Sequence, residues 1–142
     1  MGVSRIFWDT NLFIYLFENY GNLSDRVADV RLRMLARGDE LLTSTLTLGE
    51  ILVKPTEIGN SELKSTYEEA VARVATVLPF SREVARLYAE IRRDRSIRPP
   101  DAIQLACAAH ARVDLFITND DRLATKAVAG IHFIQSLDRA FL

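Results

Sequence analysis

The strongest constraint on this chain is its alternation of short β-like runs with helix-like segments. "SRIFWD", "ELLTS", "ATVLPF", "DLFITND" and "IHFIQ" are short, apolar and rich in branched or aromatic residues, so each reads as a strand. Between them lie "TNLFIYLFEN", "LSDRVADVRLRMLARG", "TLGEILVK", "ELKSTYEEAVARV", "SREVARLYAEIRRD", "PPDAIQLACAAHARV" and "DRLATKAV", which read as helices. In the second of these Val27, Val30, Met34 and Leu35 share a face and Gly38 is a stop signal. "TLGEILVK" is expected to end before Pro55, and Val84, Leu87, Tyr88 and Ile91 are in phase on a later helix. Strands that alternate with helices pair in parallel and carry helices on both faces of the sheet. At 142 residues the chain is long enough for one domain with a real core.

In such a sheet, ligands bind outside the carboxyl ends of the strands, where the strand order reverses. The residues that close the strands are therefore where chemistry is expected. Asp9 follows the first strand, set between Ile6-Phe7-Trp8 and the apolar run Leu12 to Phe17. An ionised carboxylate there is costly unless its charge is compensated, so Asp9 either caps a helix or binds a cation. Glu50 follows Thr47 by three residues, a spacing that also fits a capping box. Asp101 follows Pro99-Pro100, where an acid also complements a helix dipole. Asp120 closes the fourth strand and could cap "DRLATKAV". Side chains alternate along a strand, so Asp120 should share the face of Thr118 and leave Asp121 to solvent.

Each acid alone has a structural explanation. Together, with the first strand central, the four converge on one edge of the sheet. They would then repel one another unless a cation sat among them. An all-oxygen set suits Mg²⁺ or Mn²⁺.

Charge and composition narrow the rest. A net charge of −1 gives no global signal for nucleic acid, so any such contact needs a local patch. "IRRDRSIRPPD" supplies one just before Asp101: Arg92, Arg93, Arg95 and Arg98. Arg93, Arg95 and Arg98 are the candidate phosphate contacts, although cations at a helix end also complement its dipole. Lys54, one turn after Glu50, is placed for an i,i+4 ion pair with it. The single cysteine, Cys107, suits a reducing cytosol and reads as core filler. His110 and His132 are too few for most zinc sites and read as structural or surface residues. No apolar run approaches the length of a membrane span, and Asp9 interrupts any signal-peptide core. A soluble cytoplasmic protein is expected.

The motifs "DTN", "LTLGEIL", "PPDAIQLACA" and "FITNDDRL", in this order, resemble the PIN-domain family, and within it the VapC toxins of type II toxin–antitoxin pairs. The resemblance spans essentially the whole chain. It implies a single PIN-like domain over residues 1–142 and an α/β/α sandwich with a twisted, mainly parallel five-stranded sheet. It further implies a Mg²⁺- or Mn²⁺-dependent endoribonuclease acting on RNA and held by a cognate antitoxin. By the same resemblance Asp9, Glu50, Asp101 and Asp120 form the acidic quartet, with Asn11 and Thr118 as supporting polar residues. Three functional classes remain open: the toxin, a housekeeping PIN-type RNA-processing nuclease, and a non-catalytic nucleic-acid-binding module. An aspartyl phosphatase would show Asp-x-Asp after the first strand, where this chain has Asp-Thr-Asn. Finally, Leu12 to Phe17 make the first helix apolar all round. That surplus predicts a partner surface there, for either a homodimer or the antitoxin, and a homodimer with this helix near the contact is the expectation.

Overall fold

The computed structural model describes residues 4–140. Strand β1 (Arg5–Trp8) leads through Asp9 into helix α1 (Thr10–Phe17), followed by α2 (Asn22–Arg37) and β2 (Glu40–Ser44). Then come α3 (Thr45–Glu57), α4 (Ser61–Val74), β3 (Thr76–Leu78), α5 (Arg82–Ile91), α6 (Pro99–His110), β4 (Leu115–Thr118) and β5 (Phe133–Ser136). The five strands form one sheet in the order β3-β2-β1-β4-β5, and every pairing is parallel. β1 is central, as expected, and the strand order reverses beside it.

Alternation along the central strands divides the core between two faces. Ile6 and Trp8 of β1, with Leu115 and Ile117 of β4, pack against α1, α2, α3 and α4. Phe7 and Phe116 point the other way, against α5 and α6. These two are register partners across β1 and β4, and their rings stack with centroids 5.1 Å apart. β4 is buried along its whole length, as a parallel strand covered on both faces should be. Helices on both sides of a parallel sheet make the α/β/α arrangement.

Several local expectations need correction. Pro55 does not end α3 but lies inside it and is buried. Proline removes one backbone donor, yet Ile58 N still donates to Lys54 O at 3.2 Å and the helix completes another turn. Leu35 shares no core face with Val27, Val30 and Met34; it is 57% exposed. "DRLATKAV" is not an α-helix but a single 3₁₀ turn at Leu123–Thr125. The apolar run of α1 is only partly taken up within the chain: Leu12 and Phe13 are buried, whereas Ile14, Tyr15, Leu16 and Phe17 are half-buried. Phe13 packs on Trp8, and Phe17 stacks on Tyr67 of α4 at 5.7 Å. The exposed large hydrophobic residues lie elsewhere, among them Leu32, Val53, Ile58 and Phe133. Among the described residues, no helix is long and apolar enough to cross a membrane.

Candidate active site

Beyond the carboxyl end of β1, a cavity of about 400 Å³ opens between α1, α3 and the start of α6. Asp9, Asn11, Glu50, Arg98, Asp101 and Gln104 all line it. The three acids arrive by different arms of the fold. Asp9 is the residue after β1, and its backbone N–H donates to Ile117 O of β4 at 3.3 Å. Glu50 lies in the second turn of α3, the helix that β2 feeds. Asp101 stands in the first turn of α6, whose opening residues are Pro99 and Pro100.

Asp9 is the group under most stress. It occupies the N-cap position of α1, but its side chain makes no capping hydrogen bond. Its Oδ1 is shut off from solvent and has no hydrogen-bond partner. Burial pushes its pKa up to about 7, and the negative charge of Asp101 adds to the rise. The Thr118 hydroxyl and the amides of Asn11 and Leu12 pull the other way without cancelling it. Asp101 is also raised, first by burial, with Asp120 adding to the push and Arg98 opposing it. The nearby amides of Asn11 and Leu12 favour the charge of Asp9, but no capping hydrogen bond forms and Oδ1 stays unpartnered, so a helix cap alone does not account for this carboxyl.

Asp120 behaves differently. Its Oδ1 accepts from Arg122 N at 2.9 Å and from Leu123 N at 3.4 Å, so this oxygen does cap the 3₁₀ turn. Its Oδ2 faces Arg98 at 3.8 Å, and Arg98 also stands 3.6 Å from Asp101. Asp120 thus lies in an adjoining cavity of about 260 Å³, with Arg98 and Asp101 as the shared wall. Asp121 is exposed, as the alternation argument required.

The expectation of four carboxylates around one cation is accordingly not met. Among the described residues, no three acidic, histidine or cysteine side chains close into a ligand cluster. Two causes are visible: the Arg98 guanidinium stands between Asp101 and Asp120, and one Asp120 oxygen is committed to the turn. The donor set still fits a hard divalent ion. Mg²⁺ commonly takes one or two protein carboxylates and fills its remaining positions with water. An unpartnered buried carboxylate oxygen, with a second carboxylate beside it in the same cavity, meets that demand.

The remaining candidates separate cleanly. Thr118 is fully buried, and its Oγ1 accepts from Asp120 N at 3.0 Å, linking the two acids. Of the arginines only Arg98 lines the acidic cavity; Arg93 pairs with Glu90 at 3.4 Å and Arg95 stands in an exposed turn. Lys54 reaches Glu18 at 3.8 Å rather than Glu50. The capping box is absent: Ser44 caps α3, accepting from Thr47 N, and the Thr47 hydroxyl is buried in a polar network. Cys107 is buried and its thiol is pushed up to about 11 by desolvation, as core filler would be. His132 sits beside Asp114 and His110 is exposed on the last turn of α6; neither lines the cavity.

Sequence reading missed Thr10, Thr47 and Gln104. The available signal was Gln104 itself, a lone polar residue three positions after Asp101 in an otherwise Ala- and Leu-rich helix. Asn119 was missed too; its side-chain amide donates to the Tyr15 hydroxyl at 2.9 Å and ties the end of β4 to α1.

The sequence profile of the PIN domain matches residues 6–129. No curated protein sequence matches the chain. Among solved structures, it resembles a chain of DNA-bound VapBC from Salmonella typhimurium at TM-score 0.73 and 19% identity, covering 95% of this chain and 99% of that one. It resembles a chain of VapBC2 from Rickettsia felis, bound to a promoter DNA fragment, at TM-score 0.73 and 15% identity, over 93% and 98%. A chain of a toxin–antitoxin complex from Klebsiella pneumoniae matches at TM-score 0.66 and 21% identity, over 89% and 94%.

Proposed function

The chain belongs to the PIN-domain family, and on that premise we propose that it is a metal-dependent endoribonuclease, the toxin of a type II toxin–antitoxin pair. The observation that carries the nuclease reading is Asp9: a buried, unpartnered carboxylate oxygen beside a cavity shared with Asp101 and Glu50. A fold needs no such group for stability; burying it is unfavourable. A site that binds a cation does need it. The toxin assignment rests on the likeness in fold to chains of VapBC and toxin–antitoxin assemblies.

In this reading Asp9 and Asp101 would hold Mg²⁺ or Mn²⁺, with Asn11 lining the same cavity and Asp120 the adjoining one. The bound ion supplies charge neutralisation at the phosphate and a water of lowered pKa. Glu50, exposed on α3 yet lining the same cavity, orients the attacking water and accepts its proton. Thr118 holds Asp9 in place from below the sheet edge. Arg98 is more than half exposed and stands at the mouth, where its guanidinium can turn from Asp101 and Asp120 to a phosphodiester. The test is cleavage of end-labelled single-stranded RNA by the purified chain in Mg²⁺, in Mn²⁺ and in EDTA. The reading requires cleavage with either metal and none in EDTA; cleavage that persists in EDTA would falsify it.

A further inference from the structure

Glu50 is exposed, and an exposed glutamate samples several rotamers unless something selects one. Here its Oε1 lies 2.5 Å from the hydroxyl of Thr10. Behind Thr10 runs a chain of buried polar side chains: Thr43, Ser44 and Thr47 are wholly buried and Gln104 nearly so. Polar groups at that depth must be paired, and these are.

Their hydrogens can be assigned by elimination. The Thr43 hydroxyl donates to the Trp8 carbonyl at 2.9 Å, so it accepts from Thr47 at 2.8 Å. The Ser44 hydroxyl donates to Gln104 Oε1 at 2.5 Å. That fixes the amide, and Gln104 Nε2 donates to Thr47 at 2.8 Å and to Thr10 at 3.2 Å. Thr10 accepts from Gln104, and its own proton goes to the Glu50 carboxylate at 2.5 Å in preference to the neutral and more distant Thr47 hydroxyl at 3.3 Å. A flipped amide would strand the Ser44 proton and draw the Thr10 proton away from Glu50. The network therefore joins α6, β2, α3 and α1, and it ends on one exposed group, the Glu50 carboxylate.

We propose that Gln104 is a positioning residue for Glu50, acting through the Thr10 hydroxyl. A network serving stability alone would close on itself; this one delivers a directed hydrogen bond to the rim of the cavity. The inference rests on Glu50 having the role assigned above in RNA hydrolysis, and the experiment separates the two.

Steady-state cleavage of labelled RNA in Mg²⁺ is measured for wild type, Thr10→Val, Thr10→Ser, Gln104→Met and the Thr10→Val/Gln104→Met double variant. Side-chain amide NMR of Gln104 is recorded without RNA or metal in wild type and Glu50→Gln. Thr10→Val keeps shape and removes the donor, so kcat should fall roughly tenfold to a hundredfold while KM stays within about twofold. Thr10→Ser restores the donor and most of the rate. Gln104→Met should lose rate on the same scale, and the double variant no more than Thr10→Val, because both act through one bond. If Gln104→Met fails to fold, the Thr10 pair and the NMR decide. The Gln104 amide hydrogens should exchange slowly and shift on Glu50→Gln. Wild-type kcat in Thr10→Val, losses that multiply in the double variant, or Gln104 signals indifferent to Glu50→Gln would each overturn the inference while leaving wild-type cleavage intact. A wild type that does not cleave RNA refutes the nuclease instead, and the NMR still judges the network.

Discussion

Removing the charge of Asp9 should stabilise the protein, and only above acidic pH. Its carboxyl is pushed from 3.8 to about 7, a rise of roughly 3 units, which is about 4 kcal/mol at 1.36 kcal/mol per unit. The sign follows from proton binding. Below the unfolded pKa both states are protonated and there is no cost. Between about pH 4 and pH 7 the folded state binds more protons than the unfolded one, so this group's contribution to stability falls as pH rises. Above about pH 7 both states are ionised and the full cost remains. Asp9→Asn removes the charge and keeps the shape, but it replaces one acceptor oxygen with a donor, a loss of about 1 kcal/mol. The variant should then be roughly 2–3 kcal/mol more stable than wild type at pH 8, or about 4–12 °C in melting temperature. At pH 4 it should be equal or slightly less stable. The assay is thermal and urea unfolding of both proteins across pH 4 to 8 in EDTA; titrating groups that do not face Asp9 cancel in the difference, and Asp101, which does, is relieved in the same direction. Adding Mg²⁺ should raise wild-type stability and leave the variant unmoved. A wild type as stable as Asp9→Asn at pH 8, or a difference flat with pH, would refute the claim that Asp9 carries an incompletely compensated charge.

Three further outcomes are expected. Glu50→Gln should abolish most RNA cleavage yet leave Mn²⁺ affinity within about threefold, because an acid that positions water contributes little to holding the ion; a parallel loss of metal binding would make Glu50 a ligand instead. Arg98→Gln should weaken RNA binding and lower the log–log salt slope by about 0.7, the value for one phosphate contact on a single strand. Arg93→Gln and Arg95→Gln should not, since neither lines the cavity, and equal effects from all three would disperse the basic site along the loop. Gly130→Ala should cost roughly 2 kcal/mol in urea titrations, because φ is +97° and a Cβ there would sit 2.7 Å from Ala109 O; wild-type stability would show that the segment before β5 shifts freely against α6.

Much of this architecture is legible in the sequence, and the reason is periodicity. The strands and most helices are set by apolar runs whose period is imposed by packing, so β2 appears at "ELLTS" with its observed ends. Parallel pairing follows from the alternation, whereas the central place of β1 is a supposition that only the strand order settles; Asp9 is suspect because a carboxylate lies between two apolar runs. What stays hidden depends on side chains from distant positions meeting. Thr47 and Glu50 have capping-box spacing, but Ser44 takes the cap and Thr47 turns inward to Gln104, 57 residues away. Lys54 has the spacing to pair with Glu50, yet Glu18 from another arm reaches it first. Arg98 intervenes between Asp101 and Asp120, which no count of acids reveals. Pro55 stays inside its helix and is buried, with the backbone bonds on either side of it kept, a tertiary outcome that local rules cannot weigh.

The central claim is that Asp9 and Asp101 together hold a divalent ion. The direct measurement is a Mn²⁺ titration of wild type, Asp9→Asn and Asp101→Asn at pH 8, reading the free-ion signal by electron paramagnetic resonance. Wild type should take up Mn²⁺ in a competition that Mg²⁺ reverses, and each variant should bind at least about tenfold more weakly, since a neutral amide cannot replace the lost charge. Equal binding by wild type and both variants, or none by wild type, would contradict the account.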